Sequence, residues 1–229
     1  MSVLRTIAIG TLLAGMAGAS AYAVPTTLFD NTGLTSSANQ AAAASGGFGS
    51  QGALAQSFMT GGSPVTLIGV LLNLKLSGTA GLGSVIITLD AASGSPGSPG
   101  TPGTVLATLG TITDSTLSTT AALAGFSGLS THLNANTEYF IVVTDGVAET
   151  GSPHTKVQWL FANVAGGIGT SGQVGLFSAT EPTQWTGTTS NPYKLQVIAD
   201  VPEPATLTVL GVGIAALGWA RNRRKVRKD

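Results

Sequence analysis

The end of the chain constrains its own structure more than any other stretch does. Three segments of different chemistry follow one another there: one with two prolines, one without charge, and one that is basic. Pro202-Glu203-Pro204 forms a short extended segment, since proline lacks an N–H donor and cannot extend a helix. The residues from Ala205 to Ala220 carry no charge. Seventeen residues separate Glu203 from Arg221, and as a helix they span roughly 25 Å at about 1.5 Å per residue. That length is the lower limit for crossing the hydrocarbon core of a bilayer.

This pattern predicts one transmembrane helix, which the basic cluster after it stops and orients with its C-terminus in the cytoplasm. The apolar side chains of the predicted anchor are Leu207, Val209, Leu210, Val212, Ile214, Leu217 and Trp219. The basic stop consists of Arg221, Arg223, Arg224, Lys225, Arg227 and Lys228. The alternative is a short buried helix with a solvated basic tail. A core helix of that kind shows a polar face, which this stretch lacks.

The same order of parts resembles the PEP-CTERM sorting signal of Gram-negative bacteria. The matching residues are Pro202-Glu203-Pro204, the glycines of the apolar stretch (Gly211, Gly213 and Gly218) and the terminal arginines. The resemblance implies recognition by an exosortase, a membrane-embedded peptidase, and cleavage near Pro-Glu-Pro. It also implies a temporary stay in the inner membrane, followed by delivery to the cell surface or the extracellular matrix.

The N-terminal residues have the pattern of a secretory signal peptide. Arg5 is an early cation, Ile7 to Ala17 is apolar, and Ala21-Tyr22-Ala23 fits an A-x-A cleavage site. The sequence therefore predicts three parts: a signal peptide over residues 1–23, an exported ectodomain over 24–200, and a sorting signal over 201–229.

The ectodomain is poor in cations, with only Lys75, Lys156 and Lys194. Eight carboxylates oppose them and give this part a net charge of −5; they are Asp30, Asp90, Asp114, Glu138, Asp145, Glu149, Glu181 and Asp200. Such a surface offers nothing that would bind nucleic acid. The chain also has no cysteine. It therefore has neither a disulfide framework nor a lipobox, and its own hydrophobic core must hold it together.

Short β-prone runs separated by turn residues predict an all-β ectodomain, an antiparallel β-sandwich or jelly roll of about nine strands. Val24 to Thr32 is an expected edge strand, and Leu72, Leu74 and Leu76 alternate with Asn73 and Lys75 in the clearest strand. Thr116 to Phe126 is ambiguous. The other expected strands are Leu54 to Thr60, Gly83 to Asp90, Thr104 to Thr111, the run after the Asn134-Ala135-Asn136 turn, Val157 to Phe161, Gln173 to Ser178 and Lys194 to Ala199.

The ectodomain is similar to the choice-of-anchor domains that accompany PEP-CTERM signals, and most similar to their type R group. The matching stretches are Leu28 to Asn31, Ala55 to Phe58, the Ser93 to Gly103 loop before Val105-Leu106, Leu133 to Tyr139, and Trp159. The resemblance implies a β-sandwich displayed at the cell surface, and it brings no catalytic residues.

Candidate catalytic groups are few. Gly167-Ile168-Gly169-Thr170-Ser171-Gly172 fits the GxGxxG pattern, but the residues after it predict a strand where a dinucleotide site needs a helix. The two histidines, His132 and His154, lie in turn-like sequence, and no motif supplies a serine for a triad. Glu138, Asp145 and Glu149 are formal candidates for a glycosidase carboxylate pair. The favoured interpretations are a chance match in a glycine-rich chain for the GxGxxG pattern, exposed loops for the histidines, and solvated turns and strand ends for the carboxylates. No catalytic residue is assigned.

Binding is the more open question. Trp159, Trp185, Tyr139 and Tyr193 are candidates for a sugar-binding face, although tryptophans in a sandwich more often pack its core. Asp30, Asp90 and Asp145 are candidates for a structural calcium site; no cofactor and no other metal is expected. The sequence thus predicts an exosortase-sorted structural protein of the cell surface or the exopolysaccharide matrix, without catalytic activity. A carbohydrate-binding module and a secreted hydrolase are the alternatives.

Overall fold

Strands account for nearly all regular structure in the computed structural model, as the β-branched runs predict. The structure describes residues 23–36, 53–78, 83–94, 100–146, 157–162, 164, 166–170, 173–178, 185–188, 192–202, 211, 213–214 and 217. Within them lie a 3-10 turn at Asp114–Thr116 and eleven strands: β1 (Ala23–Asp30), β2 (Leu54–Met59), β3 (Val65–Leu76), β4 (Ser84–Ser93), β5 (Thr101–Thr113), β6 (Ala122–Leu133), β7 (Glu138–Asp145), β8 (Val157–Trp159), β9 (Gly175–Ser178), β10 (Trp185–Thr188) and β11 (Leu195–Pro202).

The strands form two sheets. The first sheet has the order β1-β11-β3-β6, with β8 also paired to β3, and the second has the order β10-β9-β2-β7-β4-β5. The registers around β3, β7 and β4 are all antiparallel. The prediction of an all-β, antiparallel fold is confirmed, and so is the position of β1 at a sheet edge.

One hydrophobic core joins the two sheets. On the first sheet, Leu72, Leu74 and Leu76 of β3 point into it, as their alternation predicts. On the second sheet, Val85 and Ile87 of β4 do the same, and both are fully buried. Pro25–Val201 form one compact unit, called the body below. The second unit consists of the two chain ends, of which the structure describes residues 23, 24, 202, 211, 213, 214 and 217.

A second hydrophobic cluster lies on the other face of the second sheet. Phe140 and Val142 of β7 belong to it together with Ala55 and Leu176, and Trp185 packs against it. The intervening β7 residues, Tyr139, Ile141 and Val143, belong to the main core. Because β7 is buried on both faces, its sequence is a continuous apolar run rather than an alternating one.

The turn before β7 is fixed by side chains. Asn136 has a φ of 49°, in the left-handed region that asparagine tolerates. The hydroxyl of Tyr139 accepts a hydrogen bond of 2.8 Å from the backbone N–H of Asn134. The hydroxyl of Thr60 donates to the carbonyl of Asn134 at 2.6 Å and accepts from the N–H of Thr137 at 2.9 Å. This arrangement is the tyrosine corner that many β-sandwich domains use, and it explains the sequence from Leu133 to Tyr139.

Two strands were not predicted from the sequence, β6 and β10. In the ambiguous stretch from Thr116 to Phe126, Thr116 ends the 3-10 turn and the residues from Ala122 onwards begin β6. Its Ala, Gly and Ser residues have weak β propensity, and β6 becomes a strand because it pairs with β3 from Leu74↔Ala122 onwards. The expected strand from Thr104 is longer at both ends, since β5 covers Thr101–Thr113.

Candidate functional site

The last strand of the body leads directly into the Pro-Glu-Pro segment. β11 lies between β1 and β3 in the first sheet, and Leu195, Val197 and Ala199 are fully buried. Its last registered pair with β3 is Asp200↔Thr66. Pro202 ends the strand and is exposed. Because proline cannot donate to a ladder, it is tolerated at such a strand end, and pairing stops there. Glu203 and Pro204 lie outside the described residues.

The chain's first strand lies beside its last. The N–H of Asn31 donates to the carbonyl of Leu195 at 3.3 Å, so the end of β1 lies next to the start of β11. The side chain of Asn31, 1% exposed, fixes this junction, since its Nδ2 donates to the carbonyl of Tyr193 and its Oδ1 accepts from the N–H of Leu195. The two strands therefore run in opposite directions. The start of β1 at Ala23 consequently lies beside the Pro202 end of β11.

Little of the predicted anchor is described. Gly211, Gly213, Ile214 and Leu217 have helical backbone, and Ile214 and Leu217 are 62% and 71% exposed. Across the described residues we find no helix with the length and apolarity that a membrane crossing needs. The remaining anchor residues (Leu207, Val209, Leu210, Val212 and Trp219), the basic stop from Arg221 to Lys228, and signal-peptide residues 1–22 lie outside the described residues.

Trp159 is a core residue. Its ring is fully buried, stacks on Tyr193 at a centroid distance of 4.9 Å, and donates from Nε1 to the carbonyl of Lys194 at 2.9 Å. Trp159 therefore offers no ring face to a sugar, and neither do Tyr193 and Tyr139, which are 4% and 3% exposed. Trp185, in the edge strand β10, is half-buried. The predicted set of sugar-binding aromatic residues is not brought together on one exposed face.

The register separates the carboxylates that were calcium candidates. In the β4–β7 pair, Asp90 lies opposite Phe140 and Asp145 opposite Val85, so the two positions are about 16 Å apart at roughly 3.3 Å per residue. Asp30 lies in the first sheet, where it accepts hydrogen bonds from Thr32 and Gln196. Within the part of the chain that is described, no three His, Cys, Asp or Glu side chains cluster as a metal site would require.

The hydrolase candidates are also dispersed. Glu138 and Asp145 are the two ends of β7, about 23 Å apart along the strand, whereas glycosidase carboxylates lie roughly 5–10 Å apart. The Oε2 of Glu138 accepts a hydrogen bond from the N–H of Gly100 at 3.1 Å. His132 is an exposed residue of β6 rather than part of a turn. His154 and Glu149 lie outside the described residues.

The glycines of the GxGxxG stretch serve the fold. Gly167 and Gly169 have φ angles of 94° and 67°, and a Cβ on either would collide with a carbonyl of β1, that of Asp30 or Leu28. Between them, Ile168 exchanges two backbone hydrogen bonds with Asp30, at 2.9 and 2.8 Å. The residues after the pattern form β9, as predicted. The pattern thus marks a close approach of two backbones.

Sequence reasoning missed Lys194. The residue is 5% exposed, and its ammonium group donates to the carbonyl of Leu34 and the hydroxyl of Ser36. Loss of hydration lowers the pKa of Lys194. The side chain holds the segment that follows β1 against the start of β11. A lysine beside a β-prone run gives no sign of such burial.

Comparison with known families identifies the end of the chain. Residues 200–224 match the model of the PEP-CTERM protein-sorting motif. No match was found among curated proteins or among solved structures. The match begins at Asp200, within the last residues of β11, and it includes the Pro-Glu-Pro segment and the apolar stretch. The chain therefore carries a PEP-CTERM sorting motif, which indicates an exported protein that an exosortase sorts through the membrane.

Proposed function

We propose that this chain is an exosortase-sorted structural protein of the cell surface or the extracellular matrix, with a β-sandwich of choice-of-anchor type and without catalytic activity. The observation that carries the proposal is the position of the sorting motif. The motif begins at Asp200 and β11 ends at Pro202, so the sorting segment shares the last residues of this strand and continues directly from it.

That position favours cleavage after the fold rather than within it. β11 is paired with β3 as far as Asp200. Beyond this pairing, the exposed Pro202 is the first residue that has no backbone N–H to donate. A peptidase needs an accessible substrate, and Pro202, at the exposed end of β11, is the last residue before the rest of the Pro-Glu-Pro segment. The mature protein then ends at or just after β11 and keeps its whole core.

The proposal of a structural role is supported by the separation of those candidate catalytic carboxylates that the structure describes. Glu138 and Asp145 lie at opposite ends of one strand, and the Glu138 carboxylate accepts a hydrogen bond from the backbone N–H of Gly100. The buried amide of Asn31, for example, serves to hold β1 to the start of β11 through backbone atoms of Tyr193 and Leu195.

Mass spectrometry of the exported protein tests the proposal directly. In a host with an active exosortase, we expect a C-terminus near Pro202–Pro204 and no trace of Trp219. Replacement of Pro202, Glu203 and Pro204 by alanine is expected to leave the full-length chain in the membrane. The matched control replaces Thr206 and Thr208, a few residues further along, and should be processed normally. An exported protein that still carried its terminal arginines would refute the proposal.

Carbohydrate binding remains an alternative through Trp185, whose half-buried ring lies against the second hydrophobic cluster. Retention on the host's exopolysaccharide distinguishes the two functions. A purely structural role predicts equal retention of the unaltered protein and of Trp185→Ala, with Trp185→Phe as the conservative control. A loss of retention in Trp185→Ala alone would favour the binding module.

A further inference from the structure

Among the described residues, the two strand orders end in four edge strands, β1, β6, β10 and β5, and three of them are protected against pairing with another chain. At β1, the Gly167–Gly169 segment pairs with Asp30 and covers the end of the strand. The pairing of β5 with β4 shifts register at three places, and such bulges make a strand a poor template. The edge strand β10 is only four residues long, and very short edge strands also resist pairing.

The remaining edge strand, β6, lacks these protections in its first half. From Ala122 to Ser127 its pairing with β3 is regular, from Leu74↔Ala122 to Gly69↔Ser127. This half-strand, Ala-Leu-Ala-Gly-Phe-Ser, contains no charge and no proline. Leu123 is 51% exposed. Among the described residues, no strand pairs with its far side. Natural proteins rarely leave such an edge open, because its free N–H and C=O groups recruit another strand.

We propose that the Ala122–Ser127 edge is where two copies of this protein pair, strand against antiparallel strand, so that the first sheets of two molecules become continuous. The free backbone groups define the partner as a β-strand. An uncharged strand fits beside this uncharged edge, and the same strand of a second copy meets that condition. A two-fold arrangement of identical edges closes on itself.

The charge distribution also favours a second copy at this place. None of the eight carboxylates of the ectodomain lies in β6, and none lies in the edge strand β5 of the other sheet, whose Gly110 lies against Phe126 of β6. Two molecules that each carry a net charge of −5 repel one another where their carboxylates meet. The β6 edge brings no carboxylate of its own strand into such a contact.

Disulfide trapping in the full-length chain tests this proposal, because the protein has no cysteine of its own. Single variants Ala122→Cys, Leu123→Cys, Ala124→Cys and Ser127→Cys are exported in a Gram-negative host and oxidised in the cell envelope. In a two-fold pairing only a residue near the axis faces its own copy, because disulfide Cα atoms lie about 4.4–6.8 Å apart. We therefore expect cross-linked dimer to peak at one of these positions.

Val105→Cys is the matched control, since Val105 is 54% exposed on the bulged edge strand β5. We expect about tenfold less dimer there than at the peak position. Adding Leu123→Lys to the best of the other cysteine variants should remove most of the dimer, while Val105→Lys should not. Protease resistance of the exported protein checks that each variant is folded. Equal yields on β5 and β6, no dimer at any β6 position, or cross-linking to a different protein would overturn the proposal.

Discussion

Gln56 and Tyr193 connect the two sheets through the core, where the Gln56 Oε1 accepts a hydrogen bond of 2.7 Å from the backbone N–H of Tyr193. Gln56 belongs to β2 of the second sheet and is fully buried between Leu54 and Phe58 of the main core. Its Nε2 donates to the carbonyl of Ser57 at 3.0 Å, so both ends of the amide are satisfied. One side chain thus positions the segment that enters β11.

Replacing that amide should weaken the fold. In Gln56→Leu the N–H of Tyr193 stays buried without its acceptor, which we expect to cost about 1–3 kcal/mol in the free energy of unfolding. Urea unfolding measures the loss. Gln196→Leu is the control, because the Gln196 amide is only half-buried where it donates to Asp30 and water replaces the lost bond. Equal losses of unfolding free energy in the two variants would show that the buried hydrogen bond between Gln56 and Tyr193 stabilises the fold no more than the half-buried one between Gln196 and Asp30 does.

The tyrosine corner predicts a second effect. Tyr139→Phe removes the acceptor of the Asn134 N–H but keeps the ring stacked on Phe58, whose centroid is 5.9 Å away. The expected cost is about 1–2 kcal/mol, measured by urea unfolding. Combining it with Thr60→Val, which removes the other side chain at this turn, should give a loss smaller than the sum of the two. Strict additivity would contradict a shared network.

Asp90 predicts a pH-dependent effect. Burial raises the pKa of Asp90 above its ordinary value of 3.8, and the hydrogen bond from Thr88 opposes this only in part. The folded state therefore binds the proton more tightly than the unfolded state does. This contribution to stability is fully present below pH 3.8 and is lost as the pH rises through the folded pKa. At neutral pH the buried carboxylate destabilises the protein.

Asp90→Asn should therefore be more stable than the unaltered protein at pH 7, and the difference should shrink as the pH falls towards 3.8. Melting temperatures measured across this range check the prediction. The amide Oδ1 still accepts from Thr88, whose hydroxyl lies 2.7 Å from the Asp90 carboxylate, so packing is preserved. A constant difference at every pH would mean that titration of Asp90 is not the cause.

The GxGxxG glycines predict a backbone effect. Gly169→Ala places a Cβ against the Leu28 carbonyl at a φ of 67°, and we expect a loss of more than about 1 kcal/mol. Gly33→Ala is the control, because nothing lies within 4 Å of its Cβ position. Thermal unfolding compares them. If Gly169→Ala melted like the unaltered protein, the close approach of the segment to β1 would be wrong.

The parts that sequence predicts well are those with local signals. The alternation of Leu72 and Leu74 with polar neighbours predicts that they share one face of a strand, and both belong to the main core. The sorting motif is contiguous in sequence, so its residues needed no fold to be recognised. Trp159 is different, because it ends a strand of only three residues. So short a strand gives no alternation that would show which way the ring points, and burial against Tyr193 depends on a residue far along the chain.

The position of β11 could not be predicted either, since it depends on pairing over long distances. The Asn31 side chain meets the Leu195 N–H across a separation of 164 residues, and no local pattern encodes that contact. The same holds for β6, whose weakly β-prone residues become a strand only beside β3. Long-range pairing of this kind also explains why protected and unprotected edges can be distinguished only in the folded molecule.

The place of β11 between β1 and β3 determines when this protein can finish folding. A chain that is threaded through a membrane from its N-terminus delivers β11 after every other strand. Until then β1 has no neighbour to hold it on that side, and the first sheet stays incomplete. The first sheet therefore closes last, when the residues next to the sorting motif have been delivered and β11 joins β1 to β3.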